Sequence, residues 1–448
     1  MRRGPYHPQR ADTKASCVVT RNPRDRCGLD RRAQASFSLR AMLFDVQSAL
    51  DGVLHALLPV RDILDGRVDD VDPPAWCVDR GWVEFLLALG DDELRRCEAE
   101  GLAARADAMP GAPASLVALA ADVLACTALP TLTIDRRAAP PSALRSVSER
   151  KREQLAALLG AVGPMAARAA RIVDVGAGEG HFTRLAAELF DREALGIERS
   201  EIRVASATAR AQERANEIDA RGSVARFVAL DACKEPLELA ADDLAVGLHA
   251  CGEVGDRLIT AAAAAGCEVA LVSCCLQKIA GPTRAPLSRA AQGLTLRKDT
   301  LGLTNLTAQP RGIEASLDAT LEARQVRFAL LRLLRARGVV LAPGEEMRGI
   351  NRRRAHRGLR DVAERALAQR ALPGPTDAEI ADHEEESRRL YGVVRRLALP
   401  RSMLARLVEI AVVLDRAAAL AESGARITVA TFVERAVTPR NIVILASR

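Results

Sequence analysis

Aromatic side chains are scarce in this sequence, 3% of 448 residues, and lysine is rare beside abundant arginine and alanine, a bias that a GC-rich genome accounts for. Long apolar runs are missing too. The most apolar stretch, Leu258 to Leu276, is broken by Glu268 and falls short of the roughly 18 to 20 uncharged residues of a membrane span. This excludes a membrane-spanning helix. No short, regularly spaced cysteine framework of a secreted scaffold is present; ten cysteines are scattered over the chain, which points to reduced thiols in a cytoplasmic protein. The first 40 residues are rich in Arg but carry Asp12, Asp25 and Asp30 and lack a continuous apolar core, so they fit neither a secretory signal nor a clean transit peptide. Residues 1–41 are expected to be a disordered basic tail, or to precede a true start at Met42.

What is present is the composition of a globular protein, 49% hydrophobic and 27% charged, in a chain longer than one hydrophobic core usually fills. A formal charge of +6 is a mild bias toward an acidic partner such as RNA. From Met42 to Leu132 apolar residues recur at three- and four-residue spacing, as in Trp82 to Leu89 and Leu116 to Leu129, which predicts a helical N-terminal domain over 42–135. Pro130, Pro140 and Pro141 mark a linker, and Ser148 is placed as the N-cap of a helix leading into the first strand.

From Arg171 the texture changes to short apolar runs that end in Gly or acidic residues and alternate with helical segments, the mark of repeated βα units. Strands are predicted at Arg171–Val175, Ala194–Ile197, Ala225–Leu230, Leu244–His249 and Val269–Ser273. An Arg-rich helical insertion is expected over 317–422, before two closing strands at Ala425–Glu434 and Asn441–Ala446. The fold class is therefore α/β, with a Rossmann-like, mostly parallel sheet spanning 146–448 and an antiparallel last strand.

The loop Asp174-Val175-Gly176-Ala177-Gly178-Glu179-Gly180 follows a strand and precedes a helix, so its backbone is free to turn tightly and approach a ligand. A dinucleotide site would prefer G-x-G-x-x-G over a pyrophosphate. Here the glycines alternate and an acid stands just ahead of them, which suits the cationic amino-acid end of S-adenosyl-L-methionine and repels a pyrophosphate. Glu198 ends the next strand 24 residues later, close to the roughly 20-residue offset of a ribose-binding acid. Asp231 ends the third strand and either reaches an adenine amino group or simply caps a turn.

The fourth strand ends in Leu248-His249-Ala250-Cys251-Gly252 and the fifth in Ser273-Cys274-Cys275, and in a doubly wound sheet both ends open onto the ligand crevice. Three chemistries compete with plain packing of strand ends. His249 is a candidate general base. Cys251, Cys274 and Cys275 are candidate nucleophilic thiols, as in two-cysteine RNA methyltransferases. The same four side chains form a permitted zinc ligand set without a standard spacing, and no metal is assigned. The basic run Arg348, Arg352, Arg353, Arg354, His356, Arg357 and Arg360 is either a contact for an RNA backbone or a solvated face.

Taken together, Val173 to Gly180, Leu248 to Gly252, Ser273-Cys274-Cys275 and the closing Pro439-Arg440-Asn441 resemble one branch of the class I methyltransferases. That branch carries a strand-four His-x-Cys-Gly motif and includes methyltransferase-like proteins of undefined substrate and, more distantly, tRNA ribose 2′-O-methyltransferases. The resemblance covers 146–448. It implies that Asp174, Gly176, Ala177, Gly178, Gly180, Glu198 and Asp231 bind S-adenosyl-L-methionine, and that His249 and Cys251 border an acceptor. The zinc-binding Cys/His modules of the tRNA enzymes have no counterpart here. RNA is the leading acceptor, with a protein side chain or a non-catalytic scaffold of the same fold as the competing expectations.

Overall fold

The computed structural model describes residues 45–134, 147–217, 225–306, 314–342 and 344–448. The expected tail and the start at Met42 lie outside them. Residues 43–448 form one compact unit.

The N-terminal part is helical as expected, in short pieces: α1 (Val46–Leu57), α2 (Arg61–Asp65), α3 (Ala75–Asp79), α4 (Val83–Leu87), α5 (Asp91–Glu100) and α6 (Ala114–Thr127). The Trp82–Leu89 pattern is a single five-residue helix, α4, stopped before Gly90. Trp76 and Trp82 meet edge to face at 6.4 Å and are both buried. Helix α7 (Glu149–Ala166) then leads into the sheet. Ser148 does occupy its N-cap position, but its hydroxyl makes no capping hydrogen bond, so the cap is one of backbone geometry alone.

Strands β1 (Arg171–Val175), β2 (Glu193–Glu198), β3 (Ala225–Ala229), β4 (Asp243–Cys251) and β5 (Glu268–Cys274) alternate with helices α8 (His181–Phe190), α9 (Glu201–Glu217) and α10 (Glu253–Ala265). After β5 come a two-stranded ribbon, β6 (Thr283–Arg284) with β7 (Leu296–Arg297), which sequence periodicity missed because two residues show no period, and helix α11 (Lys298–Gly302). Helices α12 (Glu314–Ala336), α13 (Leu359–Ala368), α14 (Asp377–Met403) and α15 (Ala405–Glu422) precede β8 (Arg426–Thr431) and β9 (Ile442–Ser447). The sheet order is β3-β2-β1-β4-β5-β9-β8, parallel except for β9, which runs antiparallel to both neighbours. That is a Rossmann-like class I methyltransferase sheet. The predicted β8 overran the observed one by three residues, because at Phe432 the chain leaves the sheet toward Thr438 and Pro439.

Both faces of the sheet are covered, which is why β5 is buried at every residue and reads as a continuous apolar run. Ala270 and Val272 face α7 and α8, while Val269 and Leu271 share a core with α10, α15 and the N-terminal helices. The insertion carries a further core of its own, built by Leu330, Leu333, Leu334, Leu359, Val362 and Leu367. Among the described residues no helix is long and apolar enough to cross a membrane.

Candidate methyl-donor site and thiol cluster

The alternating glycines are a conformational requirement. Gly176, Gly178 and Gly180 have φ of +83°, +59° and +68°, a region from which side chains with a Cβ are largely excluded. At Gly180 a Cβ would also lie 2.4 Å from the ring of Phe227. Ahead of the loop, Asp174 is buried and accepts a hydrogen bond from the Thr183 hydroxyl at 2.6 Å, which ties the end of β1 to α8. Burial pushes its pKa up from 3.8 to about 6, against the lowering effect of Thr183 and Lys151.

Glu198 ends β2 as expected, and its carboxylate is engaged with the loop itself: it accepts the Gly178 N–H at 3.1 Å and the Ser200 N–H at 3.1 Å. Asp231 lies just past β3, where it caps a turn by accepting the Cys233 N–H at 3.1 Å and pairs with Lys234 at 3.5 Å. Of the two readings of Asp231, the geometry displays the turn cap.

Two residues of α7 escaped the sequence analysis. Lys151 and Gln154 are three apart, so they share a helix face. The charge of Lys151 acts on Asp174, His181 and His249, and burial draws its own pKa down while Glu179 and Asp174 hold it up. Gln154, 3% exposed, places its Oε1 2.9 Å from His249 Nε2. An uncharged Gln154 directly after the fully charged Glu149-to-Glu153 stretch was the available signal.

His249 itself has φ +65° and is the extra residue of a β-bulge, since Leu248 pairs with Val272 and Ala250 with Ser273. Burial, and then the Lys151 charge, lower its pKa, so the imidazole is neutral at neutral pH. Beyond the bulge, Cys251 and Cys274 are register partners with sulfurs 3.0 Å apart, and Cys275 completes a group of three sulfurs within 4.8 Å of one another. The Cys251 and Cys274 thiols also point to the His249 carbonyl, at 3.4 and 3.1 Å, and Lys278 Nζ lies 3.7 Å from Cys251 Sγ. The neighbouring Cys251 and Cys274 thiols, with Lys278 and Arg440 behind them, draw the Cys275 thiol below its ordinary range, while Cys274 is pushed up. The structure thus brings His249, Cys251, Cys274 and Cys275 to one end of β4 and β5, next to the β1 loop. His249 is not a member of the three-sulfur group that could share one ion.

Arg416 of α15 holds this end together from beneath. It is fully buried and donates to the Gly252 carbonyl at 2.6 Å, the Ser273 hydroxyl at 2.7 Å and Asp256 at 2.8 Å. Burial alone would raise the Asp256 pKa, but the Arg416 and Arg284 guanidiniums outweigh it and hold the carboxyl below its usual range.

On the outer side, Arg440, whose charge acts on both His249 and Cys275, bonds to Glu409 and Asn305. Asn305, Asn441 and Gln277 line a cavity of about 2080 Å³ between the N-terminal helices, α12, α14 and the sheet end. Its wall carries thirteen Arg and Lys residues against six Asp and Glu, a surplus of seven where the whole chain has six. Among the described residues, Arg324, Arg352 and Arg401 have no carboxylate within ion-pair distance, and burial lowers the pKa of each, that of Arg401 to about 10. The basic run divides accordingly. Arg352, Arg353 and His356 line the cavity, whereas Arg354 pairs with Asp361, Arg360 with Asp377 and Arg348 with Glu345 on the outside.

Residues 150–282 match a family model described as a methyltransferase domain. No curated protein matches the chain. Among solved structures, magnesium protoporphyrin IX methyltransferase from Synechocystis PCC 6803 with bound S-adenosylhomocysteine aligns at 19% identity and TM-score 0.22, over 27% of this chain and 55% of that one. A TehB-like S-adenosylmethionine-dependent methyltransferase from Corynebacterium glutamicum aligns at 18% and TM-score 0.22, over 30% and 73%. The plantazolicin methyltransferase BpumL aligns at 11% and TM-score 0.21, over 41% and 61%. The chain thus spans little more than half the length of the Synechocystis enzyme. Residues 150–282 are a methyltransferase domain, and S-adenosyl-L-methionine is the cofactor such a domain takes.

Proposed function

We propose that this protein transfers the methyl group of S-adenosyl-L-methionine to a nucleophile on RNA. The donor would lie over the Gly176–Gly180 loop, with Asp174 facing its ammonium group, Glu198 exchanging the Gly178 and Ser200 N–H groups for ribose hydroxyls, and Asp231 bordering the adenine. His249, neutral and oriented by Gln154, would take the acceptor proton, and the sulfonium would be aligned for in-line attack by proximity. Cys251, Cys274 and Cys275 would border the same reacting centre.

The observation that carries the acceptor class is the cavity beside that centre, whose lining holds a charge surplus larger than that of the whole chain. Arginines desolvated without carboxylate partners are stabilised by an anionic ligand, and phosphate is the anion their planar fork fits best.

The test is transfer of labelled methyl from S-adenosylmethionine to pools of tRNA, rRNA and protein, with RNA binding measured across salt. The expected result is label in RNA and an affinity that falls about 10³-fold or more between 50 and 200 mM salt, with each of Arg324→Ala and Arg352→Ala lowering the salt slope by about one. Label in protein alone, or RNA binding indifferent to salt, overturns the RNA acceptor.

A further inference from the structure

Only four non-glycine residues of the described chain have positive φ, and two of them, His249 and Cys275, serve the same three sulfurs. Were β4 regular beyond Leu248, whose partner is Val272, Ala250 would face Cys274; the extra residue at His249 shifts the register by one and sets Cys251 opposite Cys274 instead. In an extended strand, side chains alternate between faces, so Cys275 would point away from Cys274. Its φ of +43° turns the chain back and brings the third sulfur within 4.8 Å of the others. Each such conformation costs about 1–3 kcal/mol and persists where the surroundings impose it, most often at functional sites. Gly252 is needed for the same turn, because a Cβ there would lie 2.2 Å from the Lys278 carbonyl oxygen.

We propose that Cys251, Cys274 and Cys275 form a binding site for a thiophilic divalent cation such as Zn²⁺, with three thiolate ligands and a fourth position open. Sulfurs around a tetrahedral ion at a 2.3 Å bond length stand about 3.8 Å apart. The cluster spans that distance, and the 3.0 Å Cys251–Cys274 pair has to open by less than one ångström. Binding displaces the thiol protons now directed at the His249 carbonyl, so it releases protons and tightens as pH rises. Three thiolates and a divalent ion carry a net charge of −1, and Lys278 Nζ, 3.7 Å from Cys251 Sγ, stands where it offsets that charge. Three protein ligands with one open position is the arrangement of catalytic rather than structural zinc. None of the other described cysteines, Cys77, Cys97, Cys126, Cys233 and Cys267, belongs to a ligand group of this kind.

The site is independent of which acceptor the protein methylates, and its test reads metal rather than activity. The full-length protein, purified under reducing conditions, loaded with excess Zn²⁺ and then dialysed against metal-free buffer, is expected to retain one equivalent by elemental analysis. Substituted with Co²⁺, it should show the intense sulfur-to-cobalt charge-transfer absorption of thiolate ligation. Cys251→Ser and Cys275→Ser should each lose the ion while keeping the circular dichroism and the S-adenosylmethionine affinity of the wild type, and Cys126→Ser should keep it. Substoichiometric metal in the wild type, metal retained in a Cys251→Ser/Cys275→Ser double variant, or a mass lower by two hydrogens that marks a Cys251–Cys274 disulfide overturns the proposal.

Discussion

The guanidinium of Arg416 donates to the Gly252 carbonyl at 2.6 Å across a sequence separation of 164 residues. With its bond to Ser273 it joins the ends of β4 and β5 to α15, the helix that closes the insertion, so the thiol cluster rests on a cation with no access to solvent.

Arg416→Met is expected to leave Asp256 buried with Arg284 as its remaining guanidinium partner, to take the donor from the Gly252 carbonyl and the Ser273 hydroxyl, and to destabilise the fold by about 3–5 kcal/mol, the usual cost of removing one partner of a buried ion pair. Urea denaturation measures it. Adding Asp256→Asn should recover part of the loss, because without Arg416 the single Arg284 guanidinium is left to neutralise both Asp256 and Asp415. Additive losses in the double variant would show that Arg416 acts through packing rather than charge.

Asp174 gives a pH dependence with a definite sign. Its folded pKa, about 6, lies above the ordinary 3.8, so the stability it contributes is complete below about pH 4 and lost as pH rises through 6. Asp174→Asn should therefore make the protein more stable at pH 8, by up to about 3 kcal/mol, with little change at pH 4. The same variant should bind S-adenosylmethionine far more weakly, and wild-type affinity should itself decline below pH 6 as the carboxyl takes a proton. Calorimetric titration at pH 5 and 8 separates the two effects.

His249→Ala is expected to lower kcat by about 10²- to 10⁴-fold while S-adenosylmethionine affinity holds, the signature of a lost general base. Gln154→Glu is the sharper probe. A carboxylate against Nε2 favours the imidazolium, so the pKa of His249 rises and the acid limb of the rate profile moves to higher pH. An unmoved limb would remove His249 from the proton transfer.

The sheet was legible because buried parallel strands read as short apolar runs closed by Gly or an acid, and β1 was found to the residue. The antiparallel last strand followed from one resemblance and a closing pair of apolar segments, but the order β3-β2-β1-β4-β5-β9-β8 was not read from the sequence. The candidate cluster was legible as far as His249, Cys251, Cys274 and Cys275 gathering at two strand ends, since that follows from topology alone. What brings the sulfurs together was not, because a bulge at Leu248–Ala250 and a left-handed Cys275 leave no trace in periodicity. Lys151 was hidden among the charges of Glu149 to Glu153. The fate of Arg348 to Arg360 depends on whether each side chain meets Asp361, Asp377 or the cavity, and spacing does not encode that. Arg416 had a faint signal: Asp415-Arg416 interrupts the apolar run from Ile410 to Ala421.

Strand β9 sits between β5 and β8 although it is translated after both. On the ribosome, β1 to β5 therefore emerge with an open edge at β5, the strand that carries Cys274, and with the Arg416 helix still to be made. The donor loop and its strands can assemble early, but the thiol cluster acquires its support and its neighbouring strand only in the final stretch of synthesis. A nascent chain of this protein thus passes through a long stage of elongation with its Cys274 strand as an unpaired sheet edge, the kind of edge that invites pairing with another chain.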